Sequence, residues 1–296
     1  MIVPPKPRPG DQVAVVAPAA PGDPDKLDAG VAWLRDLGFE VRPGKHVHDR
    51  FGYLAGDDAA RAADIQEAWC DPEIAAVLCA RGGYGAVRVL DLLDWPAMAA
   101  AAPKPLHGSS DITALHVAFG DRLGVATSYG PMVGNVLADP DPESAAATRT
   151  ALLGDPDPVI GGFPLVPGTV TAPLTGGNLS LLASLTGTPY APSPARGRIA
   201  LLEDIGEVPY KLDRMLTQLR LSGWLDGVAG LALGSWTDCG DPLRVRSVLA
   251  ERLGDLGVPI VAGLPVGHGR PQHTVTLGAR ARLDAGSGTL APEPRG

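Results

Sequence analysis

The chain has 296 residues, 45% hydrophobic and 20% charged, with 38 Gly, 30 Pro and only 5% aromatics. That composition is globular, has material for a core in one large or two modest domains, and excludes a disordered chain. The formal net charge is −8 with no Lys/Arg run, which argues against nucleic acid and anionic membrane as partners, although a local Arg can still receive an anionic substrate.

In chain order, residues 1–18 open with prolines and lack the layout of a signal peptide. No apolar run reaches the roughly 20 residues that span a bilayer. The run 11–18 (DQVAVVAP), bounded by Gly10 and Pro18, reads as a buried strand. Residues 24–37 carry helical spacing, FEVRPG reads as a second strand and 57–69 as a helix. EIAAVLCA (73–80) is a third strand that ends at Arg81-Gly82-Gly83. GAVRVLDLL is helical, and a further helix, ITALHVAF, opens after Gly108-Ser109-Ser110-Asp111. Alternating strand and helix signals predict α/β architecture with a parallel sheet covered by helices.

The proline-rich stretches 138–144 and 154–162 bracket a short helix-like segment. Proline blocks helix continuation and restricts the residue before it. The predicted domain boundary falls here, giving an N-terminal α/β domain over 1–155 and a smaller, mixed α/β C-terminal domain over 156–296. Strand signals in the second half are RIALLE, VAGLALGSW, VPIVAGLPVG, HTVTLG and ARARLD, with helical patterns at 207–222 and 242–254 between them. The three cysteines, Cys70, Cys79 and Cys239, lack C-x-x-C spacing. The expectation is a reduced, cytoplasmic compartment with neither disulfides nor a thiolate zinc site.

Three features can carry chemistry. Ser110 lies at a strand-to-helix turn, where a hydroxyl can be held exposed and helix-start N–H groups can face a developing anion. The plainer alternative is that Ser110 or Asp111 caps the helix. A serine needs a base, and of six histidines His268 stands out because it follows VPIVAGLPVG, read as a buried strand ending at Gly267. His46 and His48 flank Val47 and read as a solvated edge rather than a metal pair. His107 and His116 read as packing residues and His273 as a surface residue. The base needs an orienting acceptor. RIALLE ends in Glu203-Asp204 with Glu207 nearby, although these acids could simply cap the next helix. The third feature is Arg81-Gly82-Gly83-Tyr84-Gly85. Gly83 and Gly85 begin a G-x-G-x-x-G match, but Arg88 fills the last position and no acid follows at the distance of about 20 residues a dinucleotide site needs. An oxyanion or carboxylate loop fits better, with Arg81 offering a bidentate fork.

Taken in order, RGGYG (81–85), GSSDITALH (108–116), TGGNLSLLASLTGTPY (175–190), LLEDIGEVPYKLDRMLTQL (201–219) and GLPVGH (263–268) resemble the LD-carboxypeptidase family of serine peptidases. That family includes muramoyltetrapeptide carboxypeptidases and microcin C immunity proteins. The resemblance runs from the PGDQVAVVAP opening to the TVTLGARARLD segment. It implies a Ser–Glu–His triad of Ser110, Glu203 and His268, placed between the two domains, with no metal or cofactor. It also implies removal of the terminal D-alanine from a murein tetrapeptide, a step of peptidoglycan recycling. The Asp111 N–H and an N–H of the loop at Gly83 or Gly85 would bind the oxyanion, Arg81 would take a substrate carboxylate, and Asn178 and Tyr210 would have support roles. A homodimer is the expected assembly.

The sequence departs from the family pattern where Ser109 replaces a frequent aromatic, and GRPQHTVTLG after His268 adds Arg and His. An immunity-type hydrolase of peptidyl or aminoacyl adenylates is the alternative within the family, with Trp224 and Trp236 as stacking candidates. A non-catalytic ligand-binding protein on the same scaffold is the alternative from another class.

Overall fold

A computed structural model describes residues 1–154 and 158–293. The boundary expected between residues 155 and 156 lies outside the described residues. Five strands, β1 (Gln12–Val16), β2 (Glu40–Pro43), β3 (Ile74–Cys79), β4 (Leu106–Gly108) and β5 (Thr127–Tyr129), run parallel in the order β5-β4-β3-β1-β2. The unbroken apolar run of β1 follows from burial on both faces. Val13 and Val15 pack with Leu27, Val31 and Leu34 of the helix Pro24–Asp36. Ala14 and Val16 pack with Ala62, Ile65 and Trp69 of the helix Asp58–Cys70 on the other side.

The second sheet has eight strands. Its parallel centre is β8 (Thr169–Asn178), β9 (Ile199–Ile205), β10 (Gly230–Thr237) and β11 (Ile260–Ala262). Antiparallel strands flank it: β6 (Ile160–Gly161), β7 (Phe163–Val166), β13 (Arg280–Asp284) and β14 (Thr289–Pro292). The HTVTLG signal becomes β12 (Val275–Leu277), which crosses back to pair antiparallel with β5 at the edge of the first sheet. Tyr129, Val275 and Leu277 share one apolar cluster with Ile199, Leu201 and Leu283. The two sheets are therefore packed through a common core beside β5. The fold is a two-domain, mixed α/β architecture.

Many Asp-Pro pairs have one local cause. Asp23, Asp141 and Asp241 each cap a helix with Pro at the first helical position, and each accepts a backbone N–H of the first turn. Proline holds the preceding residue extended, which is the N-cap conformation, and its own missing N–H costs nothing there.

Two predicted elements are shorter than their patterns. GAVRVLDLL is helical only over Ala86–Val89 before a 3-10 turn, Leu90–Leu92. VPIVAGLPVG is a strand only over Ile260–Ala262. Gly263 turns at φ +69° and Pro265 lacks a ladder donor, so the chain leaves the sheet well before His268.

Candidate active site

The turn that carries Ser110 follows β4. Ser109 is extended (φ −152°, ψ −172°) and Ser110 lies at φ +61°. That is a left-handed conformation, which costs a non-glycine residue on the order of 1 kcal/mol or more. The surroundings hold it. The Ser110 N–H donates to Tyr129 Oη at 3.1 Å, the Ile112 N–H to the Ser109 carbonyl at 3.1 Å, and His116 Nε2 bonds the Gly108 carbonyl at 3.0 Å. Neither serine caps the following turn with its side chain, so the capping alternative is not realised. Ser109 is buried, whereas Ser110 is partly exposed. The Asp111 carboxylate turns the other way and accepts from the Ala86 N–H at 2.7 Å. Burial pushes its carboxyl upward, against the pull of the Ala86 N–H and the charge of Arg61.

That bond ties the turn to the loop Arg81–Gly85. A side chain at Gly82 would begin 2.8 Å from Ser110 Cβ, 3.1 Å from Ser110 Oγ and 3.3 Å from Asp111 N. Gly83 (φ +104°) and Gly85 (φ +126°) need glycine's conformational freedom. Fully buried Arg61 donates to the carbonyls of Pro18 and Gly85 and pairs with Asp58, holding the base of the loop. Arg81 is exposed, with Nη1 donating to the Pro21 carbonyl at 3.2 Å. Gly82→Ala is expected to lower kcat about a hundredfold through displacement of Ser110, since misplacing reacting groups by about 1 Å has that effect. Steady-state kinetics beside a melting curve checks this; an unchanged kcat would remove Gly82 from the site.

On the second sheet, Glu203 lies near the carboxyl end of β9 and is fully buried. Its Oε2 is 2.7 Å from His268 Nδ1, and its Oε1 accepts from Tyr129 Oη at 2.6 Å and Asn178 Nδ2 at 3.2 Å. The backbone crowds it: a side chain at Gly267 would fall on Oε2, and one at Gly234 would begin 3.0 Å from Glu203 Cβ. The His268 and Gly269 N–H groups both donate to Ser235 Oγ, at 2.8 and 2.9 Å. With Nδ1–H given to the carboxylate, His268 Nε2 is left as the acceptor.

The structure thus brings Glu203 and His268 together directly. It links Ser110 to them through Tyr129, but Ser110 Oγ makes no hydrogen bond with the His268 ring. Such contacts often close only when substrate is bound. Burial draws the His268 pKa down, but the Glu203 hydrogen bond and the charges of Glu203 and Asp204 outweigh it and leave it above the ordinary 6.5. If His268 serves as a base it must be neutral to do so, and the acid limb of kcat/KM is then expected above pH 6.5, with activity rising as pH increases through it. A limb below that value would contradict a His268 pKa raised by Glu203 and Asp204.

The remaining candidates have other roles. Asp204 accepts from Asn178 Nδ2, Ser180 N and Ser180 Oγ, and Glu207 pairs with Lys211; the helix Pro209–Leu221 is capped by neither, its N-cap being Val208. His107 and His116 are buried packing residues, each held by burial at a pKa of about 4. His273, expected at the surface, has a side chain only 12% exposed and meets Glu143 Oε1 at 3.0 Å. His46 and His48 lie in a turn after β2, with His46 on Asp49. Among the described residues no His/Cys/Asp/Glu group could hold a metal ion. Tyr210, expected in support, is 63% exposed with Arg214 over its ring and stands outside the cluster. Trp224 is buried in the second-domain core and Trp236 packs against the same cluster. The sequence reading missed Tyr129, Ser235 and Arg61.

A cavity of about 550 Å³ lined by Met1, Ile160, Leu174, Thr276, Arg280 and Leu290 includes none of the three triad candidates. Among the described residues no helix is long and apolar enough to cross a membrane.

Residues 13–130 match the LD-carboxypeptidase N-terminal domain and residues 171–283 the LD-carboxypeptidase C-terminal domain. A Streptomyces coelicolor protein that carries a carboxypeptidase designation is 50% identical over 98% of this chain and 96% of its own length. The murein tetrapeptide carboxypeptidase of Pseudomonas aeruginosa is 35% identical over 92% of this chain and 93% of its own. A solved structure of the microcin C7 self-immunity protein MccF, in complex with glutamyl sulfamoyl guanosine, covers 100% of this chain and 99% of that one with a TM-score of 0.91 at 22% identity, a likeness of fold. The chain belongs to the LD-carboxypeptidase family, and its activity class is that of a peptidase.

Proposed function

We propose that the protein is a serine LD-carboxypeptidase that removes the terminal D-alanine from murein tetrapeptide, with Ser110 as nucleophile, His268 as base and Glu203 as orienting acid. The observation that carries this reading is the 2.7 Å bond from buried Glu203 to His268 Nδ1, which leaves Nε2 free, on the same network as a serine held at φ +61°. Ser110 Oγ attacks the scissile carbonyl carbon while His268 Nε2 takes its proton. The Asp111 N–H and an N–H of the Arg81–Gly85 loop receive the oxyanion. As the C–N bond breaks, His268 returns the proton to the departing amine of D-alanine. Water then attacks the acyl ester, again losing a proton to His268, which passes it to Ser110 Oγ as the tripeptide acid leaves. The exposed guanidinium of Arg81 has donors left for a substrate carboxylate. A cytoplasmic location and a homodimer belong to the same reading.

Incubation with murein tetrapeptide and, separately, an aminoacyl sulfamoyl adenylate tests it by product mass. Loss of one alanine from the peptide is expected. Cleavage of the adenylate alone would move the protein to the immunity-type reading, and Trp224, being buried, offers that ligand no stacking face. Cleavage of neither would favour a binding protein.

A further inference from the structure

Tyr129 ends β5 and is fully buried where the two sheets share a core. Its hydroxyl accepts from the Ser110 N–H at 3.1 Å and donates to Glu203 Oε1 at 2.6 Å. The nucleophile of one domain and the acid of the other therefore meet on a single oxygen atom. The link is braced around its rim. The Asn178 N–H donates to Thr113 Oγ1 at 3.0 Å, and Asn178 Nδ2 reaches Glu203 Oε1 at 3.2 Å. A side chain at Gly177 would begin 2.7 Å from Thr113 Oγ1 and 3.2 Å from Tyr129 Cε2. Neither domain completes this arrangement alone.

We propose that Tyr129 is a positioning residue that sets the nucleophile and the base in register across the domain junction, an inference that rests on the reading of Ser110, Glu203 and His268 as a triad. Two consequences follow from the direction of its bonds. With Oε1 saturated by Tyr129 and Asn178, the Glu203 carboxylate cannot turn, and Oε2 faces His268. With the Ser110 N–H drawn onto Tyr129, the Ser110 backbone stays at its strained φ, which persists only where surroundings over-determine it. Burial and the neighbouring Glu203 charge hold the phenol's pKa well above its ordinary value, so the O–H stays a neutral donor and does not itself exchange protons with substrate.

The test is Tyr129→Phe, which keeps the ring in the apolar cluster and removes only the bridging oxygen. On murein tetrapeptide, kcat is expected to fall about ten- to a hundredfold with KM changed less than about twofold, as for a misplaced reacting group. Glu203 would no longer share its charge with the phenol and would hold the imidazolium more strongly, so the titration midpoint of His268, read by NMR of labelled histidine, is expected to move up. A purely structural role would lower stability and leave that midpoint in place. Replacing the tyrosines by 3-fluorotyrosine gives an independent arm that does not depend on the variant folding. The more acidic phenol donates more strongly to Glu203, so the midpoint is expected to move down. Unchanged midpoints in both arms, or an unchanged kcat in the folded Tyr129→Phe protein, would overturn the proposal. Ser110→Ala run alongside separates the two layers: if it retains turnover, the triad reading has failed, whereas the His268 midpoints still report whether Tyr129 acts on Glu203.

Discussion

Ser110→Ala is expected to abolish measurable turnover of murein tetrapeptide, a loss of roughly a million-fold in kcat where a serine nucleophile is removed from a working triad. The protein should remain folded. Ser110 is partly exposed and its hydroxyl caps no helix, while the turn is held by the Ser110 N–H and the Asp111 side chain, which the substitution leaves in place. Alanine at φ +61° has much the same steric cost as serine, so the strain is common to both proteins. Substrate affinity should persist, and the oxyanion donors can leave a residual rate above that in water. Kinetics with equilibrium binding checks this. Full activity in Ser110→Ala would disqualify the nucleophile, and buried Ser109 would then have to be tested in its place.

Glu203→Gln is expected to lower kcat by about a thousand- to ten-thousandfold, the order of effect seen when an orienting acid becomes its amide. The hydrogen-bond directions explain why. Oε2 faces the Nδ1–H of His268, and Oε1 faces two donors, Tyr129 Oη and Asn178 Nδ2. A glutamine oxygen aimed at His268 puts its NH₂ against those donors. Turned round, the NH₂ meets Nδ1 and forces the other tautomer, placing the proton on Nε2 where the base needs a lone pair. Loss of the negative charge also removes the Glu203 interactions that raise the His268 pKa, leaving only the charge of Asp204 against burial, so the residual activity should show its acid limb at lower pH than the parent. Kinetics across pH tests both parts. A Glu203→Gln enzyme with the parent's rate and limb would mean that His268 is oriented by something else.

The residues read most clearly from the chain were those at the ends of well-patterned elements. Glu203 stands out in the sequence because RIALLE is an apolar run closing on two acids, and Glu203 does lie near the end of β9. Ser110 stands out in the sequence because a turn precedes a periodic helix, although its positive φ and its freedom from capping are three-dimensional facts. His268 was reached through a strand that in fact stops at Ala262; Gly263, Pro265 and Gly267 carry the chain out of the sheet to Glu203. Tyr129 was illegible for a physical reason. β5 has only three residues, too few for periodicity, and its edge partner is β12 from the far end of the chain. So short a strand leaves no local pattern, and its last residue is the one that joins the two halves of the candidate site. Trp224 looked available for stacking only because sequence does not reveal that the core has taken its faces.

The most direct test of the account is the kcat of Ser110→Ala, His268→Ala and the double variant on one substrate. Three side chains acting as a unit give losses that do not multiply, because once one is gone the others have nothing left to assist. The account predicts a double variant about as slow as either single one, all three folded. Losses that multiply, or a His268→Ala protein that keeps most of its activity while Ser110→Ala loses it, would contradict it.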